Sequence, residues 1–452
     1  MKSTIESIVN NNLCIGCGIC AGVCPQQLLN MDFDIYGKYI PSLRISCSKE
    51  CGLCMKVCPF NDENENETEI GKKLFGYTEN IQHSEETGYY LNSFVGYSSE
   101  FRETSASGGL ATWLLTTLIA KDIVDYVICV TPHDNPEKLF TFQIFENVES
   151  IAHSAGSAYY PVELSDIIQQ ILDKPGRYAI TGLPCFLKAI RLATSQNKKL
   201  KKRIVYTIGL VCGQSKSKYY TAYITKLTHI KGKPQKVTYR GKSPDRPANN
   251  FYFCCQNEHG EEGKVFWSEG VSEAWTNRWF TPNSCNFCDD VFAELADVVF
   301  MDAWLPKYSK DSKGTSLMLV RSTQILNIVL ETMNNKQINI TTIPIDELIQ
   351  SQAGVIEVKR KQLSYRLYIA NQSGQIVPDK RVKSSKKIDF LTKKHIELKL
   401  KMQEKSKQLL FQENQTLTIK DIKAEMHPFI KKKRLLDLVE KSILSYKKLK
   451  NK

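Results

Sequence analysis

The chain has 452 residues, of which 42% are apolar and 24% charged, an ordinary composition for a folded protein of two or three domains. No run of about 18 apolar residues could span a membrane, and the opening MKSTIESIVNNN lacks the apolar core of a signal peptide. We therefore expect a cytoplasmic protein whose 15 cysteines are reduced, which favours metal ligation over disulfide bonds.

The net charge of +13 is concentrated at one end of the chain. Residues 380–452 contain 22 Lys and Arg but only 8 Asp and Glu, so the remainder is nearly neutral. A neutral body argues against a nucleic-acid-binding protein, and we expect no nucleic-acid partner.

Residues 1–60 form a cysteine-rich head with two similar runs, each ending in Cys-Pro. The runs contain Cys14, Cys17, Cys20 and Cys24, then Cys47, Cys51, Cys54 and Cys58. In two-cluster ferredoxins the first three cysteines of a run bind one [4Fe–4S] cluster and the fourth binds the other. The predicted ligand sets are therefore Cys14, Cys17, Cys20 and Cys58 for one cluster, and Cys47, Cys51, Cys54 and Cys24 for the second.

The spacing within the runs also decides against zinc. Small residues such as Gly16, Gly18 and Gly22 let backbone N–H groups approach cluster sulfurs. Eight cysteines could instead hold two zinc ions. The spacing of two, two and three residues before Pro in the first run, repeated as three, two and three in the second, is typical of clusters.

After the head, NDENENETE at residues 61–69 is acidic and nearly devoid of apolar residues, which predicts a solvated linker within residues 61–93. From residue 94 to 375, short β-branched runs alternate with helical patterns. The runs are YVICV (126–130), RYAIT (177–181), RIVYTIGLV (203–211) and ADVVFMDAW (296–304). This alternation predicts an α/β body with a mixed or mostly parallel sheet, joined to an α+β ferredoxin-like head.

Two further features of the body suggest ligand chemistry. SASGGLATWLL places Gly108 and Gly109 at the start of a helix, which is either an anion site or an ordinary turn. In TGLPC, Cys185 opens a helix after a strand, as a metal ligand, a reactive thiol or a buried small side chain.

Cys285 and Cys288 form half of a metal site and need partners. Cys185 and Cys212 are the better candidates because each follows the end of a predicted strand, where ligands bind in open α/β sheets. Cys129 lies inside a strand, and the adjacent Cys254 and Cys255 cannot face the same way.

These segments together resemble the beta subunits of coenzyme F420-reducing hydrogenase and dehydrogenase, a family that includes 7-hydroxymethyl chlorophyll a reductase. The matching segments span residues 94–325: SASGGLATWLL, SAYYP, ITGLPCFLKAIR, IGLVCGQ, TYRGK, CNFCDD with LADVVFMDAW, and GTSLMLVRS. Family members have Arg in the SAYYP region, where this chain has Ala158 and Tyr159.

The resemblance implies bound FAD and a third [4Fe–4S] cluster on Cys185, Cys212, Cys285 and Cys288. The FAD site it implies consists of Ser105, Ser107, Gly108, Gly109, Tyr160, Thr181, Gly182, Pro184, Arg240, Gly241 and Lys242.

The expected function is an oxidoreductase. Electrons would pass from a low-potential donor such as ferredoxin through the clusters to FAD and then to a small-molecule substrate, for example in polysaccharide biosynthesis. The alternative is an electron-transfer subunit that serves a separate catalytic partner or reduces a deazaflavin coenzyme. Lys188 is a candidate proton donor, with a solvated helix lysine as the alternative.

Residues 376–452 form a basic tail with helical spacing, which Pro428 divides into two stretches. Three interpretations remain open: a helical hairpin packed on the body, a cationic face on the inner surface of a membrane, or a docking face for an acidic redox partner.

Overall fold

The computed structural model describes residues 4–43, 47, 51–411 and 417–450. In the head, three short helices surround a two-stranded antiparallel sheet. The head elements are α1 (Ile5–Asn10), α2 (Ile19–Gly22), β1 (Leu29–Phe33), β2 (Tyr39–Leu43) and α3 (Leu53–Lys56). Gly18 and Gly52 have positive φ values of 75° and 60° and precede α2 and α3, so each cysteine run turns into its helix at a residue without a β-carbon.

The segment after the head is ordered, which corrects the prediction of a solvated linker. It forms the helix α4 (Glu67–Phe75), which Asn66 caps in a capping box with Glu69. The strands β3 (Gln82–Ser84) and β4 (Gly88–Tyr90) follow as a hairpin. Glu67 and Glu69 lie in the first turn of this helix, where their charges favour the helix dipole, so an acidic composition did not mean a solvated segment.

The body is built on an eight-stranded mixed sheet. Its strands are β5 (Asn92–Tyr97), β6 (Tyr126–Pro132), β7 (Phe140–Phe145), β8 (Tyr178–Gly182), β9 (Ile204–Leu210), β13 (Val298–Asp302), β14 (Ser316–Val320) and β15 (Asn339–Thr342). Their order in the sheet is β15-β5-β14-β13-β9-β8-β6-β7. The neighbouring strands β13, β9, β8 and β6 are parallel, whereas the strands at both sides pair antiparallel. This confirms the predicted α/β class with its mixed sheet.

Helices cover both faces of the sheet. Leu110, Leu114 and Val329 belong to the core on one face, whereas the core on the other face is continuous with the head and includes Ile19 and Leu187. The helices of this region are α5 (Leu110–Ala120), α6 (Val148–His153), α7 (Ser165–Asp173), α8 (Pro184–Gln196), α9 (Lys198–Arg203), α12 (Pro306–Ser309), α13 (Thr323–Asn334), α14 (Ile345–Ser351), α15 (Ala353–Ile356) and α16 (Gln362–Gln372). Head and body therefore fold around one shared core.

A smaller antiparallel sheet extends the body and supports the tail. It comprises β10 (Pro234–Gly241), β11 (Tyr252–Asn257) and β12 (Glu262–Phe266), with helices α10 (Lys218–Leu227) and α11 (Val271–Thr276) beside it. Leu398, Met402, Ile422 and Met426 of the tail pack into the same aromatic core as Tyr223.

The tail forms the helices α17 (Phe390–Phe411) and α18 (Ile419–Lys450), which pack on each other. Pro428 lies inside α18 and does not divide the tail as predicted. Helix α17 ends at Phe411 and α18 begins at Ile419. Proline removes one backbone donor, and a helix held by tertiary packing on both sides of that position tolerates this loss. Within the part of the chain described, no helix has the length and apolarity to cross a membrane.

Candidate functional site

The first predicted ligand set of the head lies together in the structure. Cys14, Cys17, Cys20 and Cys58 all border one apolar cavity. Burial above all, with the neighbouring Cys14 and Cys58 thiols adding to it, raises the pKa of Cys17. Four thiols around one dry cavity suit a metal cluster, since a cluster keeps its thiolate ligands deprotonated where burial alone would not.

The second predicted set lies closer to solvent. Cys47 and Cys51 are exposed, and Cys24 and Cys54 are partly buried. Burial raises the pKa of Cys54, and the Cys51 and Cys47 thiols add to the effect, which places these three side chains near one another. Residues 44–46 and 48–50 around Cys47 lie outside the described residues.

The four body cysteines also come together. Burial raises the pKa of Cys185 strongly, and Cys288, Cys212 and Cys285 raise it further. Cys185 follows β8 and Cys212 follows β9 at the carboxyl ends of two parallel strands. Cys285 lies in a 3-10 turn, where its sulfur accepts the Ser215 N–H at 3.4 Å.

Buried cations surround these four thiols. Lys359 donates to the Cys212 carbonyl at 3.0 Å, Lys216 to the Trp279 carbonyl at 2.8 Å, and Arg278 to the Asn286 amide oxygen at 2.9 Å. Although burial opposes it, the Cys288 and Cys212 thiolates raise the pKa of Lys359. Among the described residues, neither these three cations nor the buried Arg366 forms an ion pair with a carboxylate. Four buried cations thus lie near the body cysteines, with the buried carboxyl groups of Asp289 and Asp290 beside Cys288 as the acidic exceptions.

The head contacts the body beside both groups of cysteines. Ser284 Oγ donates to the Cys14 carbonyl at 3.3 Å, and Ser284 immediately precedes Cys285. A second contact joins the Leu164 N–H to the Cys17 carbonyl at 3.0 Å. The buried head set and the body set are therefore neighbours across this junction.

The backbone at the start of α5 requires glycine at both positions of the Gly108–Gly109 pair. A β-carbon on Gly108 would lie 2.6 Å from the Gly96 carbonyl oxygen, and Gly109 has a φ of 77°. Ser107 Oγ donates to the Thr315 carbonyl at 2.9 Å, and Ser105 Oγ is 3.3 Å from Thr112 Oγ1. These contacts fix the loop close to β14, whether or not it binds a ligand.

Cations converge on this loop. Lys242 Nζ donates to the carbonyls of Ser107, at 2.8 Å, and of Arg102. Arg102 donates to the Gly314 carbonyl at 2.8 Å, forms an ion pair with Asp311 at 2.5 Å, and lies over the Tyr97 ring. Burial is the main cause that lowers the pKa of Lys242 to about 8. The loop is thus bordered by a half-buried ammonium that donates to two backbone carbonyls and also lies near the Glu103 carboxylate.

Arg240 lies at the end of β10, beside the parallel sheet. Its two terminal nitrogens donate to the Asp302 carboxylate at 2.7 and 2.8 Å, and Asp302 ends β13. Tyr159 lies next to Arg240; burial raises the pKa of this tyrosine, and the Arg240 charge opposes that effect. The loop with Arg240, Gly241 and Lys242 therefore spans from the glycine pair to the carboxyl edge of the sheet.

Other predicted cofactor residues lie elsewhere or have other contacts. Tyr160 donates to the Glu137 carbonyl at 3.1 Å and packs beside Phe140. Thr181 Oγ1 donates to the Ile128 carbonyl at 3.1 Å, Gly182 packs against Leu187, and Pro184 is the first residue of α8. Among the described residues, no hydrogen bond links these four residues to the loop that contains Gly108 and Gly109, the glycine loop.

Lys188 is buried and paired with Glu67 of α4 at 3.3 Å, which differs from the solvated alternative. Cys129 is a core residue 3.2 Å from Ser154 Oγ, as expected for a strand interior. Cys255 is buried whereas its neighbour Cys254 is partly exposed, which fits opposite faces of β11.

Several residues of the site escaped the sequence analysis. They are Arg102, Lys216, Arg278, Asp302, Ser284, Lys359 and Arg366. Only Asp302 carried a local signal, as the polar residue that ends an apolar strand. The others reach the site from distant parts of the chain.

Comparison with known families identifies the architecture. Residues 93–169 match the N-terminal region of the beta subunit of coenzyme F420 hydrogenase/dehydrogenase, and residues 176–346 match its C-terminal region. Together these matches cover more than half of the chain. The chain belongs to this family. Residues 13–61 match the 4Fe-4S dicluster domain, so the head is an iron–sulfur domain.

Relatives of this family member are oxidoreductases by name. A component of the F420H2 dehydrogenase of Methanosarcina mazei is 23% identical over 225 residues, which cover 48% of this chain and 57% of the relative. The coenzyme F420-dependent sulfite reductase of Methanocaldococcus jannaschii is 26% identical over 225 residues, 46% of this chain and 32% of the relative. The chain thus matches only about a third to somewhat over half of the length of these relatives.

Two other similarities were found, one to a ferredoxin and one to a solved structure. An uncharacterized ferredoxin of Methanocaldococcus jannaschii is 39% identical over 57 residues, 13% of this chain and 73% of the ferredoxin. A chain of the F420-reducing [NiFe] hydrogenase complex of Methanosarcina barkeri superposes with a TM-score of 0.48 at 18% identity, covering 64% of this chain and 96% of that chain.

Proposed function

We propose that this family member is an iron–sulfur flavoprotein oxidoreductase that takes electrons from a low-potential donor such as a ferredoxin and reduces a small molecule. One observation carries the proposal: Ser284 contacts Cys14 of the head and adjoins Cys285 of the body. A head that served only as a ferredoxin would not need its buried cysteines, the inner set with Cys14, to be held beside the cysteines of the body.

The body cysteines are suited to a third [4Fe–4S] cluster. Cys185, Cys212, Cys285 and Cys288 would be its ligands. A thiolate-ligated cluster is anionic, and buried charges in proteins are compensated by opposite charge. Lys216, Arg278, Lys359 and Arg366 are buried without carboxylate partners among the described residues, so the positive setting supports an anionic occupant.

The glycine loop is suited to the phosphates of FAD. Lys242 and Arg102 would stabilise their negative charge, with backbone N–H groups at the start of α5 as additional donors. When bound, a flavin accepts electrons singly and releases them as a pair. Arg240 would be held for contact with the cofactor by its bidentate pair with Asp302. Tyr159, in place of the family Arg, would border the substrate.

The order of the cysteine sets supports entry of electrons at the head. Cys47 and Cys51 are exposed, whereas Cys14, Cys17 and Cys20 are buried against the body. An external donor can therefore approach the outer set and cannot reach the inner one directly. The small molecule that we propose as the substrate is a sugar-linked compound of polysaccharide biosynthesis.

A second candidate rests on the names of the relatives, two of which act with coenzyme F420. In this version the protein exchanges electrons with a deazaflavin and serves a separate catalytic partner. Purified protein that oxidises or reduces F420 without turning over sugar-linked compounds would favour it.

Anaerobic reconstitution tests the main proposal. The protein, purified alone, is loaded with iron, sulfide and FAD and then given reduced ferredoxin. Bleaching of the flavin absorbance is expected. Protein that binds iron but no FAD, or whose flavin remains oxidised with reduced ferredoxin, would contradict the proposal.

A further inference from the structure

The outer half of α18 carries an apolar stripe that faces away from the body. Its members are Leu435, Leu438, Val439, Ile443 and Tyr446, which are 41–68% exposed, and Leu444, 52% exposed, lies on the other side of this end of the helix. Their spacing of three and four residues places them along one side of the helix. We call them the outer stripe.

In the first half of α18, the opposite side of the helix packs on the body. Ile422, Met426 and Ile430 are buried in the aromatic core around Tyr223. Met426 precedes Leu435 by nine residues, which at 3.6 residues per turn places the two on opposite sides of the helix. The outer stripe therefore lies on the side of α18 opposite to the residues that pack in the aromatic core.

The charged side chains of α18 are also divided between the side that faces α17 and the exposed surface. The acidic Asp437 and Glu440 point towards α17, where His395 lies within 3.8 and 3.6 Å of them, and Lys433 contacts Asp437 at 2.7 Å. The exposed cations Lys431, Lys432, Arg434 and Lys441 form no ion pair within the described residues. The outward surface is therefore apolar in the middle and cationic around it.

We propose that the outer stripe and its flanking cations bind the surface of an anionic lipid bilayer. An interfacial helix needs apolar side chains to enter the headgroup boundary and cations to meet anionic lipid, and this helix presents both on its free side. A second copy of the same helix would bring its own Lys431, Lys432, Arg434 and Lys441 against these cations, and repulsion between them disfavours self-association. This inference is independent of the proposed redox function.

Flotation of the full-length, cluster-loaded protein tests the proposal. The probes are vesicles of phosphatidylcholine alone and vesicles of phosphatidylcholine mixed with phosphatidylglycerol. We expect at least about tenfold more protein to float with the mixed vesicles, and this preference to fall as salt is raised.

Two sets of variants separate the apolar and charged contributions. Leu435→Gln with Leu438→Gln removes the centre of the stripe, and Lys432→Gln, Arg434→Gln and Lys441→Gln together remove flanking charge. Each set should lower binding at least about tenfold. The matched controls are Ile35→Gln with Ile376→Gln, and Lys198→Gln, Lys199→Gln and Lys201→Gln on α9, which change equally exposed positions elsewhere.

The flotation results of the variants and controls either support or overturn the proposal. Flotation lost in both α18 sets but kept in both control sets supports the proposal, provided that cluster absorbance shows that the variants remain folded. Equal flotation with both kinds of vesicle, no flotation at all, or a concentration-dependent dimer that the Leu435→Gln and Leu438→Gln changes abolish would overturn it.

Discussion

Ser284 Oγ donates a hydrogen bond of 3.3 Å to the carbonyl of Cys14, and the next residue in the chain is Cys285. One buried serine therefore joins a predicted ligand of the head to a predicted ligand of the body. The junction holds together two cysteine sets whose members Cys14 and Cys285 are 271 residues apart in the sequence.

Ser284→Ala tests the strength of this junction. Removal of the hydroxyl leaves the buried Cys14 carbonyl without that donor, so we expect a loss of about 1 kcal/mol in unfolding free energy. Chemical denaturation of cluster-loaded protein measures it. Ser195→Ala removes a hydroxyl that only bonds within its own helix turn and should change stability by less than about 0.5 kcal/mol. A midpoint for Ser284→Ala equal to that of the parent protein contradicts the structural role.

Cys185→Ser tests the body cluster. If the three predicted clusters form, the reconstituted protein holds about twelve iron atoms per chain and the variant about eight. Iron and sulfide analysis measures this. Cys129→Ser is the matched control, because Cys129 is a buried cysteine that lies away from the other thiols. Unchanged iron content in Cys185→Ser would exclude that residue as a ligand.

Arg278→Met tests the electrostatic setting of the body cysteines. Removal of a buried positive charge should make reduction of a nearby cluster harder, so its potential should become more negative by on the order of 60 mV, a tenfold change in a one-electron equilibrium. A redox titration followed by electron paramagnetic resonance measures the shift. Arg278→Lys keeps the charge and should retain most of the potential; equal shifts in both variants would point to disturbed packing instead.

Lys242→Gln tests the phosphate contact of the glycine loop. Loss of a charged donor should weaken FAD binding about tenfold. Because burial lowers the pKa of Lys242 to about 8, the ammonium is present below that pH and is lost as the pH rises through it. FAD affinity of the parent protein should therefore fall above about pH 8. The variant should show no such step, and a step of the same size in Lys242→Gln would assign the titration to another group.

The buried pair of Lys188 and Glu67 lends itself to a double-mutant cycle. Lys188→Met alone leaves a buried carboxylate without its partner, which should cost about 3–5 kcal/mol, whereas Lys188→Met with Glu67→Gln should cost much less. Denaturant unfolding measures both. Additive costs would show that the two side chains do not interact.

The same pair predicts an acid-sensitive contribution to stability. Burial opposes ionisation, but Lys188 outweighs it together with other cations, and the pKa of Glu67 lies below its usual value. The contribution is thus present above the unfolded-state pKa and is lost as pH falls through the lower folded-state pKa. Unfolding experiments across acidic pH should show this loss in the parent protein and a weaker one in Glu67→Gln.

The sequence by itself determined the features that are local in the chain. The cysteine spacing identified the iron–sulfur head, because short loops between ligands are set by neighbouring residues. The alternation of apolar strands and helices determined the α/β class. It also placed Cys185 and Cys212 at strand ends, because parallel strands bring their carboxyl ends to one edge.

Only the tertiary structure decided the features that depend on distant residues. It turned the acidic segment at Glu67 into a packed helix, because Lys188 of another helix compensates its charge. It surrounded the body cysteines with Lys216, Arg278 and Lys359, and it left one side of α18 free. Burial and charge compensation arise from contacts across the fold, and no periodicity along the chain encodes them.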